Sequence, residues 1–291
     1  MIRIKDLNDE DSYKKLLHIE SMICISEPNR WHMHFGGIGV DRYFFGNGKN
    51  DIYIYGKLIY DDSKLIGYAL VYRDDFYYNV WLLPQSKAHI EEVIQLIETM
   101  FEKGHVITTN CTDKDVIKLM QTKGYKNNGE SKYTAVLDLT SYKQEEILWD
   151  GEEIRLFKRD DITERVRYAA LPTGNEITNE MYLDYMSSDD ARNVIDYVVV
   201  DKNTDKMIGY YSWWLDVTSN TAMLNPVACI ESHRKKGVSK RAILHGLNHL
   251  KVIGMNYAYV DTGSNNLAAI SLYSSVGFLK CNTFLEMSKL I

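Results

Sequence analysis

The chain has 291 residues, 45% of them hydrophobic and 25% charged, with only 18 Gly and 4 Pro. These are globular values, and they exclude collagen-like, low-complexity and largely disordered chains. A formal net charge of -6 disfavours general nucleic-acid binding, because phosphate contact needs a basic face. At about 150 residues per domain the length predicts two domains.

No apolar run approaches the ~20 residues needed to span a bilayer, so no membrane partner is expected. The start, Met1 to Asp11, turns acidic at once and has no apolar signal core, which predicts a cytoplasmic protein. Cys24, Cys111, Cys229 and Cys281 are too scattered for a disulfide framework or a CxxC metal pattern. They fit reduced thiols, and no metal is expected.

In the first half, β-rich stretches predict strands over 52–60, 64–72 and 77–83. A helix is predicted over 88–102, stopped by Gly104, then a strand over 106–110. A second helix over 114–123 stops at Gly124, and a strand follows over 133–139. The second half repeats this plan. Glu152–Leu156 reads as a strand, and 160–171 and 178–186 read as helices separated by Pro172-Thr173-Gly174. Strands are predicted over 195–200, 207–215 and 223–229, with turn chemistry at 201–205 and 216–220. Residues 239–253 form a helix with Ala242, Ile243, Leu247 and Leu250 on one stripe and Gly254 as its stop. A strand over 256–262, a helix over 267–276 ending before Gly277, and one or two strands over 278–290 close the chain.

The helix stops test for duplication. Gly254 to Gly277 is a step of 23, and Gly104 to Gly124 a step of 20. Gly277-Phe278 also matches Gly124-Tyr125. The expected architecture is therefore α+β, with two copies of one unit: residues 1–140, a polar linker over 141–151, and residues 152–291.

Chemistry concentrates in the second copy. After the strand ending at Cys229 comes Arg234-Lys235-Lys236-Gly237-Val238-Ser239-Lys240, then a long helix. The first N–H groups of a helix lack intrahelical partners and carry partial positive charge. Gly237 permits close backbone approach, and Arg234, Lys235, Lys236, Lys240 and Arg241 add cations. A diphosphate is the best match to such a tip. The loop is neither a Walker loop nor a GxGxxG fingerprint. Taken alone, it reads rather as a basic, solvated helix start with a Ser cap.

The next strand–helix unit supplies a second motif. Arg-x-x-Gly-x-Ser opening one helix, followed by Asn266-x-x-Ala269-x-x-Leu272-Tyr273-x-x-x-Gly277-Phe278, resembles the GNAT superfamily of acyl-CoA-dependent N-acyltransferases. The resemblance covers roughly residues 152–291, and Ser239 departs mildly from the usual Gly or Ala. Asn225-Pro226-Val227-Ala228 resembles a tandem subgroup of that family. The resemblance implies in each copy a mixed, mostly antiparallel sheet flanked by helices, with a splayed central strand. It implies that the backbone of Val227, Ala228 and Cys229 pairs with the pantetheine arm of acetyl-CoA, and that the backbone around Lys235–Lys240 holds the pyrophosphate. Pro226, which cannot donate to a ladder, fits a splayed or bulged strand.

By the same resemblance Asn266 supports the arm or the adenosine side, Ala269 leaves room beside it, and Tyr273 sits near the thioester sulfur. Residues 266, 269 and 273 share one helix face. Tyr273 is then the candidate general acid, although a core tyrosine is the plain alternative in a chain with 21 Tyr. The implied reaction moves an acetyl group to a primary amine of a small molecule or peptide. The rival is a non-catalytic acyl-CoA-binding or interaction module, because Met223-Leu224-Asn225 offers no carboxylate where many relatives place one. Glu231, Asp216 and Asp261 are the nearest acids, and Tyr210 or Tyr211 is a candidate for a water relay.

Aligned on the helix stops, the first copy has Met120 for Tyr273, Asp113 for Asn266, Pro84 for Arg234 and Lys87 for Gly237. A degenerate copy that binds no acyl-CoA is expected. Elsewhere, His32-x-His34 has no third metal ligand at sensible spacing. Gly36-Gly37-Ile38-Gly39 reads as a turn or mobile cover. One of Trp213 and Trp214 is expected to line the acceptor site. Glu176, Glu180, Asp184, Asp189 and Asp190 give an acidic bias suited to steering a cationic amine.

Overall fold

The computed structural model describes residues 1–30, 33–44, 51–173 and 177–291. The first half runs β1 (Ile2–Asp6), α1 (Glu10–Ser26), α2 (His34–Phe44), α3 (Asp51–Tyr55), β2 (Gly56–Asp61), β3 (Lys64–Tyr72), β4 (Tyr77–Leu82), α4 (Ile90–Glu98), β5 (Val106–Cys111), α5 (Lys114–Thr122) and β6 (Lys126–Asp138). The second runs β7 (Glu152–Leu156), α6 (Ile162–Thr173), α7 (Asn179–Met186), β8 (Val194–Asp201), β9 (Met207–Asp216), β10 (Thr221–Cys229), α8 (Val238–Val252), β11 (Tyr257–Gly263), α9 (Leu267–Ser275) and β12 (Leu279–Leu290). Apart from α3, the two orders are the same. The helix-stop glycines Gly104, Gly124, Gly254 and Gly277 all have positive φ, between 85° and 100°. That is the left-handed turn that ends a helix.

All twelve strands form one sheet in the order β1-β2-β3-β4-β5-β12-β6-β11-β10-β9-β8-β7. Neighbours are antiparallel except β4–β5 and β10–β11. These two parallel pairs splay after a short register: Tyr77–Thr108 and Tyr78–Thr109 in the first copy, Thr221–Tyr257 to Met223–Tyr259 in the second. The sequence halves are not the sheet halves. β6 lies between β11 and β12, and β12 lies between β5 and β6, so each copy gives its last strand to the other.

Helices cover both faces. On one, α8 buries the predicted stripe Ala242, Ile243, Leu247 and Leu250 against Trp213, Leu224 and Val260. On the other, Tyr182 and Tyr185 of α7 pack with Phe35, Tyr43 and Phe44 of α2 around Trp214. Asp190 ties the halves together there, accepting from Tyr13 Oη and Tyr43 Oη at 3.0 Å each.

Several local expectations change. Pro172 and Thr173 belong to α6 rather than separating it from α7, and β6 begins at Lys126 rather than at 133. Residues 52–60 are not one strand: Ile52 and Tyr55 are buried while Ile54 is 72% exposed, which is the i, i+3 pattern of a helical turn. A 3₁₀ turn, Pro84–His89, precedes a shorter α4. Gly36 to Gly39 are neither turn nor cover but lie buried in α2. A Cβ on Gly39 would stand 2.3 Å from the Trp214 ring, so only glycine lets this helix pack so close.

Candidate functional site

β10 pairs with β9 through Val227–Tyr211, Ala228–Tyr210 and Cys229–Gly209, after a register shift between Leu224 and Val227. Pro226 sits in that bulge, as its missing N–H requires. On the other side, pairing with β11 stops at Met223. The β11-facing edge of residues 224–229 is therefore unladdered by any strand, with Asn225 O and Cys229 O taken by the Trp214 and Arg234 side chains and the other backbone groups of the edge left for an extended ligand.

The strand delivers the chain to the α8 tip. Gly237 is the N-cap with φ 79°, and no side chain caps the first turn. Lys235 also has positive φ, 60°. Arg234, Lys235, Lys236, Gly237 and Lys240 are exposed, whereas Val238 is buried and anchors the helix. A Cβ at Gly237 would meet Arg241 Nη1 at 3.1 Å. Arg241 is not a free cation: it donates to Lys236 O at 3.1 Å and Glu152 Oε2 at 3.0 Å, clamping the loop. Arg234 Nε donates to Cys229 O at 3.2 Å, holding the same loop to the strand end. Ser239 Oγ and Tyr211 Oη are 3.0 Å apart. Two of these braces, Arg241 to Glu152 and Ser239 to Tyr211, join residues 89 and 28 apart and left no local signal in the sequence.

Asn266 caps α9, accepting from Ala269 N at 3.3 Å and donating to Thr262 Oγ1 at 3.0 Å. Both polar atoms of its side chain are thus engaged in holding the helix start. Ala269 is half-buried one turn on. Tyr273 is buried against Phe278, ring centroids 6.1 Å apart. Among the described residues nothing hydrogen-bonds its hydroxyl. Burial, with the Asp261 charge as a second cause, pushes its pKa above the usual phenol value. The phenol is protonated and has an unused donor.

Two of the three nearby acids are occupied. Asp261 pairs with Lys132 Nζ at 3.1 Å, and Asp216 accepts from Ser219 Oγ at 2.6 Å in its own turn. Glu231 is exposed in a 3₁₀ turn. Tyr210 lies under the Arg165 guanidinium, 3.2 Å from its ring centroid, and Tyr211 is fully buried, so neither reaches solvent for a relay. Trp213 and Trp214 are 0% and 1% exposed, which corrects the expectation that one lines an open site. Trp214 Nε1 instead donates to Asn225 O at 2.6 Å and supports the bulge. Glu180, Asp184 and Asp189 form a solvated face, whereas Asp190 turns inward. His32 and Glu176 lie outside the described residues. His34 is buried, its Nε2 3.0 Å from Thr221 Oγ1. Among the described residues no His, Cys, Asp and Glu cluster could hold a metal, and no helix is long and apolar enough to cross a membrane.

The first copy has a different cleft. Lys87 Nζ lies 3.1 Å from both Glu27 Oε1 and Asp113 Oδ2, and Arg30 Nη1 lies 3.1 Å from Glu27 and 3.5 Å from Asp113. Only about 80 Å³ remains between these groups and the splayed ends of β4 and β5. Met120 is 2% exposed.

The family profile described as "Acetyltransferase (GNAT) family" matches residues 161–278. An N-acetyltransferase of Bacillus subtilis, YvbK, itself described as uncharacterized, is 25% identical over 111 residues, 36% of this chain and 71% of that protein. A tandem GNAT protein from the clavulanic acid biosynthesis pathway matches the fold with TM-score 0.68 at 10% identity, covering 99% of this chain and 98% of that one. A GNAT-family acetyltransferase from Colwellia psychrerythraea does so with TM-score 0.62 at 16% identity, covering 98% and 99%. These structural likenesses show the tandem fold.

Proposed function

From the premise that the chain carries a GNAT acetyltransferase domain over residues 161–278, we propose that its second copy transfers an acetyl group from acetyl-CoA to a primary amine of a small molecule or peptide. The observation that carries this reading is the unladdered edge of β10 beside the open Gly237 tip. A strand edge can pair with the amides of a pantetheine arm, and the tip N–H groups with a diphosphate. Val227, Ala228 and Cys229 are assigned to the arm. Lys235 to Lys240, with Arg234, are assigned to the diphosphate. Ala269 leaves the space beside Tyr273, and Asn266 acts by fixing the α9 start.

The chemistry is direct. The acceptor nitrogen forms a C–N bond to the thioester carbonyl carbon. Backbone N–H groups of the splayed strand stabilise the developing oxyanion. The C–S bond then breaks. Tyr273 gives its proton to the departing sulfur and is reprotonated from water, while the nitrogen loses its own proton to solvent. Among the described residues the acids of the adjoining strand ends, Asp216 and Asp261, are both engaged, so positioning supplies much of the acceleration.

The test is thiol release from acetyl-CoA across a broad panel of primary amines, alongside CoA titration. Turnover with at least one amine supports the transferase. CoA binding without turnover on any amine favours the rival, a non-catalytic acyl-CoA-binding module. The first copy is assigned no acyl-CoA, because the Lys87 pairs fill its cleft.

A further inference from the structure

A second concavity, of about 820 Å³, lies over the first half, away from the helix tip. That is the size of a small-molecule site. Tyr53, Tyr55, Tyr72, Tyr77 and Trp81 line it, and Asp41 lines it among them. Tyr72 stacks on Tyr55 with ring centroids 4.4 Å apart, so the aromatic wall is preformed.

The charges in the lining are unequally satisfied. Lys57 pairs with Asp6 at 3.1 Å, and Lys132 with Asp261 at 3.1 Å. Asp41 Oδ2 accepts from Tyr72 Oη at 3.0 Å, whereas nothing among the described residues hydrogen-bonds its Oδ1. Burial raises its pKa to about 6, so it is ionised at pH 7.5. Asp74 and Asp75 stand exposed at the rim beside Arg73. A half-buried carboxylate with one bare oxygen among aromatic faces suits an ammonium on a flat apolar body.

The concavity adjoins the splay. Asp261, the partner of its Lys132, stands on β11 two residues beyond the last register with β10. Met33, another lining residue, packs on Met223 and Tyr259, which form that last register pair. We propose that this concavity binds the acceptor, a primary amine on an aromatic body, with Asp41 taking the ammonium group. Calling it the acceptor rests on the transferase reading. The binding of such an amine does not.

The test is calorimetric titration of the full chain at pH 7.5 with three pairs: phenethylamine and 2-phenylethanol, tyramine and tyrosol, tryptamine and tryptophol. At least one amine should bind about tenfold or more tighter than its alcohol, and Asp41→Asn should erase that difference while leaving CoA affinity unchanged. Should Asp41→Asn not fold, Ile54→Trp serves, since Ile54 lines the mouth and is 72% exposed. It should abolish amine binding and spare CoA. Amines and alcohols binding alike, or Asp41→Asn and Ile54→Trp both without effect, overturn the proposal. Amine selectivity in a protein that binds no CoA would keep this site and remove the transferase reading.

Discussion

Lys87 Nζ lies 3.1 Å from Asp113 Oδ2, and on the helix-stop alignment these residues match Gly237 and Asn266 of the second copy. Asp113 still caps its helix, as Asn266 does, accepting from Asp115 N and Val116 N. The cap is alike in both, and an ion pair stands beside it in the first copy. Calorimetry should therefore give one CoA per chain, and a stoichiometry of two would refute the assignment of a closed first cleft.

Gly237→Val tests the cradle. At φ 79° a residue with a Cβ costs about 1–2 kcal/mol, more for a β-branched one, and the new side chain enters the space over the tip. CoA affinity should fall about tenfold or more while the melting temperature changes by only a few degrees. Unchanged CoA affinity would put the diphosphate elsewhere.

Tyr273→Phe removes one oxygen and keeps the ring against Phe278. Turnover of acetyl-CoA with a competent amine should drop by about 10²-fold, with CoA affinity intact. Because burial raises the phenol pKa, loss of its proton should impose no fall in rate below about pH 10. An equal loss of CoA affinity would make Tyr273 a packing residue.

Glu20 provides a stability test. It is 1% exposed, accepts from Tyr68 Oη at 2.6 Å and His34 N at 2.7 Å, and burial raises its pKa to about 7. The folded state holds this proton more tightly than the unfolded chain does. Its stabilising effect is complete below the unfolded value near pH 4.5 and is lost as pH rises to about 7. Thermal melts of Glu20→Gln should flatten that decline, gaining on wild type at pH 8 relative to pH 5. Parallel pH curves for both proteins would show that Glu20 does not titrate as buried.

The strand exchange makes a topological prediction. Separately expressed residues 1–145 and 146–291 each lack the strand that seats their last one, since β6 needs β11 and β12 needs β5. Each should be poorly folded alone, and mixing should restore the circular dichroism of the whole chain. Two stable, independent halves would show that the exchange is dispensable.

The sequence by itself determined what depends on a few neighbouring dihedrals and donors. Gly104, Gly124, Gly254 and Gly277 marked helix ends, Gly237 marked the tip, and Pro226 marked the bulge, because each residue constrains its own backbone. The α8 stripe was legible for the same reason, as one helix face repeats every few residues. Only the tertiary structure decided which strands meet. Alternation says that a segment is a strand but not who its partner is, so the exchange of β6 and β12 left no local trace. The same holds for Asp41 among its tyrosines, for Glu27 and Asp113 drawing in both Arg30 and Lys87, and for Trp213 and Trp214 taken into the core. Each depends on groups distant in sequence arriving at one place, and burial then fixes what their charges and hydroxyls can do.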